Sequence, residues 1–299
     1  MSRQRRQLLL ALLAAPLARA AGLPQVGVGR IERLADFPSR HVPARHIDVW
    51  LPPGHDGQRP LRVLYMHDGQ MLFDARSTWN GQSWQVADTL ARLIASSAVA
   101  PTMVVGIWNK DGLRTAEYFP QRALDYLPPA LRDTAVRERL GGAPQADAYL
   151  RFLVEELKPA IDARYPTRAG RADTAIMGSS MGGLISLYAL CEYPQVFGGA
   201  AGLSTHWTGL MTQNASVPLA LFRYLQTHLP DPASHRLYLD TGDQTLDALY
   251  PPHQDWVDLL VREAGYGAAN FRSCRFPGAA HLETAWAARL EEPLRFLLA

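Results

Sequence analysis

One ten-residue stretch limits what this chain can fold into. Residues 175–184 run Ala-Ile-Met-Gly-Ser-Ser-Met-Gly-Gly-Leu. Apolar residues lead into a glycine-pinched turn, and an apolar helical pattern leads out of it. The pattern is G-x-S-x-G with Ser180 at its centre, the signature of a serine held on a sharp strand-to-helix turn. Such a turn leaves little room for side chains beside the serine. Gly178 and Gly182 supply that space, and Gly183 lets the helix pack close to the sheet. The turn also aims the Met181 N–H, at the start of the helix, toward the place where an oxyanion would form.

The remaining sequence alternates strand and helix patterns around that turn. Residues 26–34 and 45–51 alternate as two antiparallel strands, and residues 61–66 form a short buried strand that ends in His67-Asp68-Gly69-Gln70. A helix is expected over 83–94, an apolar strand over 101–107, and an amphipathic helix over 146–164 with Pro159 as a source of kinking. Residues 121–144 carry prolines and a Gly-Gly pair and read as an irregular excursion over one sheet edge. Beyond the Ser180 turn, strands are expected at 198–203, 236–240 and 270–276, and helices at 218–228, 256–263 and 282–298. This order predicts a mostly parallel, doubly wound α/β sheet with antiparallel N-terminal strands, forming one domain over residues 21–299.

Residues 1–20 stand apart. Arg3, Arg5 and Arg6 precede an apolar run, and Ala18-Arg19-Ala20 fits a signal-peptidase site. The segment reads as an export signal, by either the general secretory or the twin-arginine route, and places the protein in the periplasm or outside the cell. The run is too short to span a bilayer comfortably, and no other window resembles a membrane helix. Formal net charge is only +2, with basic residues scattered, so nucleic acid is not an expected partner. Cys191 and Cys274 read as small core residues, and no motif suggests a metal site.

A serine hydroxyl needs a base to become a nucleophile, and the base is usually a histidine held by an acid. In a sheet of this kind the chain order is serine, acid, histidine, each at the C-terminal end of a strand. His281 lies in the small-residue loop after the last expected strand and fits the base. The other histidines precede the turn, come too early after it, or lie on or beside helices. The acid should follow the strand at 236–240, where Asp243 and Asp247 are both candidates. A second oxyanion donor, beside the Met181 N–H, is expected from the backbone N–H of Gln70, just past Asp68-Gly69.

Four motifs now stand together: Leu64-Tyr65-Met66-His67-Asp68-Gly69; Val105-Gly106-Ile107-Trp108-Asn109 with Arg114 and Glu117-Tyr118; the turn from Gly178 to Gly183; and Gly278-Ala279-Ala280-His281 with Glu283 and Trp286. In these the chain resembles the esterase-D-like esterases of the α/β-hydrolase superfamily, which include feruloyl, acetylxylan and ferric-enterobactin esterases, S-formylglutathione hydrolase and mycolyltransferases. The resemblance extends over nearly all of residues 30–298. It implies an α/β-hydrolase fold with Ser180 as nucleophile, His281 as base, and Met181 and Gln70 as oxyanion donors. The chain is also similar to a bacterial subgroup in Ser204-Thr205-His206-Trp207 and in Thr245-Leu246-Asp247-Ala248-Leu249-Tyr250, which favours Asp247 over Asp243 as the acid. It departs at Thr245, where many relatives carry a carboxylate. His206 and Trp207 are then expected to face the cleft, and Asn109 and Arg114 to anchor a long loop. The implied activity is hydrolysis of a small-molecule carboxylic ester through an acyl-enzyme, with no cofactor. Acyl transfer to a sugar or lipid alcohol, or ligand binding without catalysis, are the alternatives.

Overall fold

The structure, a computed structural model, describes residues 22–299, so the expected export signal at 1–20 lies outside the described residues. Among the described residues, no helix is long and apolar enough to cross a membrane.

Eight strands form one sheet: β1 (Arg30–Phe37), β2 (Arg45–Leu51), β3 (Arg62–His67), β4 (Thr102–Ile107), β5 (Thr174–Ser179), β6 (Gly199–Leu203), β7 (Arg236–Thr241) and β8 (Phe271–Arg275). Their order across the sheet is β1-β2-β4-β3-β5-β6-β7-β8, with β1 and β8 at the two edges. β2 runs antiparallel to both β1 and β4, and every pairing from β4 through β8 is parallel. This is the mostly parallel arrangement with antiparallel N-terminal strands that the sequence order predicts.

The period-two alternation of buried strands divides the core into two layers. In β3, Val63 and Tyr65 face one layer, while Leu64 and Met66 face the other. The first layer lies under the helices Met181–Glu192, Ser216–His228 and Pro251–Glu263. The second lies under Val86–Ala95 and the C-terminal helices. The helix Met181–Glu192 is apolar around nearly its whole circumference and is buried along nearly its whole length. Each large apolar side chain buried in these layers contributes about 1.5–3 kcal/mol.

Four expectations need correction. The first strand begins at Arg30, because Gly29 turns at φ 73° and the Val28 carbonyl is tied to the Trp50 indole instead of to a strand. The excursion at 121–144 contains a regular helix, Pro129–Arg139; its proline occupies the first turn, where no N–H is needed, and the helix is followed by Gly141 and Gly142 at positive φ. The helix over 146–164 is interrupted by a π segment, Phe152–Leu157, just before Pro159, whose missing N–H would otherwise leave a carbonyl unpaired. The closing helix is two helices, Glu283–Arg289 and Glu291–Leu298, with Pro293 in the first turn of the second. Cys191 and Cys274 are both free, the first buried and the second half-buried.

Candidate active site

The loops that leave the C-terminal ends of the parallel strands share one edge of the sheet, where α/β proteins place their chemistry. Ser180 follows β5 directly and caps the helix Met181–Glu192 with φ 57° and ψ −122°. A non-glycine residue held there costs about 1–3 kcal/mol, so the surroundings must enforce it. They do so through the backbone. The Ser180 N–H donates to the Leu203 carbonyl (2.9 Å), and its carbonyl accepts from Gly183, Leu184 and His206. Gly178 is required by space, since a Cβ there would lie 2.8 Å from the Gly182 carbonyl carbon.

Ser180 and His281 line the same cavity, of about 440 Å³, together with Asp68, Gln70, Arg114, Glu283 and the indoles of Trp79, Trp84 and Trp286. A larger cavity of about 690 Å³ lies among the N-terminal ends of β5, β6 and β7 and contains none of the expected catalytic residues.

His281 follows β8. Its Nδ1 lies 2.6 Å from Asp247 Oδ1, and its ring packs edge-on against Trp286 and Tyr250. Its backbone N–H donates to Thr245 Oγ1 at 2.9 Å. Asp247 is fully buried. Its Oδ2 accepts from the Ser204 hydroxyl (2.5 Å) and the Gly242 N–H (2.7 Å). Burial works to raise its pKa, but the bonds from His281 and Ser204 outweigh it and hold the carboxyl below its ordinary value. Asp243 is exposed, and its carboxylate accepts from the Gly278 N–H and the Gln244 side chain, not from His281. The two loops are locked together because the Asp243 and Gln244 N–H groups both donate to the Ala279 carbonyl.

Gln70 sits in a single 3-10 turn, Gly69–Met71, preceded by Asp68 at φ 57°. Among the described residues, the backbone N–H groups of Gln70 and Met181 have no protein acceptor. Asp68 accepts from Asn109 Nδ2 (2.6 Å) and from Arg114 Nε and Nη2 (2.8 and 2.7 Å), and the Gln70 side chain accepts from the Asn109 N–H. Asn109 and Arg114 therefore tie the Gln70 turn to the loop after β4.

His206 and Trp207 are placed differently from the expectation. Trp207 is fully buried in the first core layer, where its indole N–H donates to Gln254. It does not line the cavity of Ser180 and His281, because the turn at 204–207 sends its ring under the helix Ser216–His228, against Phe222. His206 is also buried and outside that lining, with Nδ1 2.7 Å from the Tyr250 hydroxyl and its N–H supporting the Ser180 carbonyl. Burial, then the charges of His281 and Arg114, push its pKa down to about 4.

Behind Asp247 is a buried group that the sequence reading assigned no role. Ser204 Oγ also receives Trp286 Nε1 (3.0 Å) and Arg289 Nη2 (2.8 Å), and Arg289 pairs with Asp240. The available signal was the spacing of Trp286 and Arg289, three apart and so on one face of the helix after His281.

A family model described as Putative esterase matches residues 43–297. The chain is 33% identical over 170 residues to the ferri-bacillibactin esterase BesA of Bacillus subtilis (strain 168), covering 54% of each protein. It is 32% identical over 143 residues to the siderophore triacetylfusarinine C esterase of Aspergillus fumigatus, covering 47% of this chain and 42% of that protein. These matches span about half the length of the curated relatives. Among solved structures it is similar to a ferulic acid esterase, with TM-score 0.63 and 19% identity over 91% of this chain and 98% of that one. It is also similar to the enterobactin esterase FES from Shigella flexneri, with TM-score 0.65 and 17% identity over 92% of this chain and 60% of that one. The architecture common to these is the α/β-hydrolase fold.

Proposed function

Because the chain belongs to this esterase family, its model spanning residues 43–297, we propose that it is an exported serine esterase acting on a siderophore-type or related polar aromatic ester. The observation that carries the reading is the His281–Asp247 pair, whose histidine lines the same cavity as Ser180.

In this mechanism Ser180 Oγ attacks the ester carbonyl carbon while His281 Nε2 takes its proton. The negative oxygen rests on the N–H groups of Met181 and Gln70, each worth about 3 kcal/mol of transition-state stabilisation. His281 returns the proton to the leaving alcohol. Water then attacks the acyl-enzyme by the same route and releases the acid. Asp247 orients the imidazole and stabilises its charged form. For the substrate, the names of the relatives and the three indoles at the cavity support an aromatic or siderophore ester. Residues 1–20 support export.

The test is a substrate panel: a catecholate or hydroxamate siderophore ester, a feruloyl sugar and a short-chain nitrophenyl ester, with Ser180→Ala as control. Turnover that disappears in a folded Ser180→Ala variant is expected. A wild-type protein that neither hydrolyses any of the three nor reacts with a fluorophosphonate probe overturns the proposal.

A further inference from the structure

The hydrogen bonds behind Asp247 leave one choice for every proton. Ser204 is fully buried and held at φ 45°. A hydroxyl has one proton and two lone pairs, whereas an indole N–H and a guanidinium can only donate. Trp286 Nε1 and Arg289 Nη2 therefore occupy both lone pairs of Ser204 Oγ. Its single proton is left for Asp247 Oδ2, at 2.5 Å. That oxygen also receives the Gly242 N–H, so Asp247 is bound as an acceptor on this side. Its other oxygen, Oδ1, faces His281 Nδ1 at 2.6 Å. An ionised carboxylate there requires Nδ1 to be the protonated nitrogen, which leaves Nε2 as the free base.

We infer that Ser204 and Arg289 are positioning residues that fix which nitrogen of His281 carries its proton, acting through Asp247. This rests on the esterase reading above, and it adds to that reading a buried chain whose far end is a cation. Arg289 is almost fully buried and is itself fixed: Asp240 accepts from its Nε and Nη2, and Phe276 lies against its guanidinium. Tyr238 also donates to Asp240 Oδ2. Trp286 and Arg289 both belong to Glu283–Arg289, the helix that begins two residues after His281. One short segment therefore carries the base and the two donors that hold Ser204.

The other titratable and charged groups around the pair come from separate elements. Tyr250 and His206 approach from the loops after β7 and β6, and Asp68, Asp111, Arg114 and Glu283 line the cavity on the solvent side. None of them donates to Asp247 Oδ2, whose hydrogen bonds come from the Ser204 hydroxyl and the Gly242 N–H.

The test is the pH profile of kcat/KM in the full chain. In Ser204→Ala, Asp247 loses one donor and concentrates its charge on the imidazole, which stabilises the imidazolium. The acid limb should move to higher pH, and kcat should fall roughly tenfold with KM little changed. Arg289→Lys keeps the charge beside Asp240 but cannot supply both bonds, and should move the limb in the same direction; it carries the test if Ser204→Ala does not fold. A variant that folds, with its acid limb and kcat matching an active wild type, overturns the inference while leaving the esterase reading intact. A wild type inert toward esters and fluorophosphonate overturns the esterase reading itself.

Discussion

Asp247 and His281, 34 residues apart in the chain, meet at 2.6 Å, while Asp243, four residues before Asp247, turns to the Gly278 N–H. This division of labour between two aspartates on one loop yields a direct comparison. Asp247→Asn should reduce kcat by roughly 10⁴, the effect of reversing the hydrogen-bonding sense at a buried histidine partner. Asp243→Asn should retain activity within about tenfold, because it removes only a charge-assisted bond to a backbone N–H. Steady-state kinetics on the best ester of the panel measures both. Comparable losses in the two variants would remove Asp247 from its assigned role.

Gly242 should tolerate no side chain. A Cβ there would run into the Ala279 carbonyl oxygen, and so between the loops that carry Asp247 and His281. Gly242→Ala should cost about 1–3 kcal/mol of stability, as overpacking does. It should reduce kcat far more than that loss explains, since the loop shift falls on the His281–Asp247 contact. Thermal unfolding and kinetics on the same preparation separate the two effects. A variant with wild-type kcat would show that the loops can part without disturbing the pair.

Stability should fall as the solution becomes mildly acidic. Burial pushes His67 down to about 3, and burial with nearby positive charge pushes His206 down to about 4, both from an unfolded value of 6.5. Between 6.5 and those values the unfolded chain binds protons that the native protein refuses, so stability rises with pH across this window. The contribution is fully present above the unfolded value and is lost as pH falls through the folded one. Denaturant unfolding from pH 7 to pH 4 reads the slope, and His206→Gln should flatten it. An unchanged slope would mean that His206 takes up its proton over the same pH range in the native and unfolded chains.

The Arg45–Glu117 pair should be a strong point of dependence. Both side chains are fully buried, and the guanidinium reaches both carboxylate oxygens, at 2.6 and 2.8 Å. Glu117→Gln strands a buried cation and should cost about 3–5 kcal/mol. Glu117→Gln combined with Arg45→Met should recover part of that loss. Chemical denaturation of the three variants checks this, and a single variant within about 1 kcal/mol of wild type would contradict it.

Much of this architecture was legible in the sequence because its signals are local. Gly178, Gly182 and Gly183 announce the turn at Ser180, and the small residues before His281 mark a loop between strand and helix. The choice of Asp247 was not local. It depends on the Asp243 and Gln244 N–H groups binding the Ala279 carbonyl, which turns Asp243 outward and carries Asp247 inward. The Thr245 hydroxyl, on the same loop, holds the His281 backbone N–H. Trp207 failed as a cleft residue because an aromatic after a strand serves packing and binding equally well until its neighbours are known. Ser204, Asp240 and Arg289 come from three elements far apart in sequence, and no spacing rule joins them.

The sheet order has a consequence for how this protein would fail. Ser180 leaves β5, which has a paired strand on each side, whereas His281 leaves β8, which is an edge strand. Rim strands open at lower free energy than central ones. Gentle warming should therefore separate His281 from Ser180 while most of the backbone is still ordered. Turnover would fade several degrees before ellipticity does, and the loss would reverse on cooling.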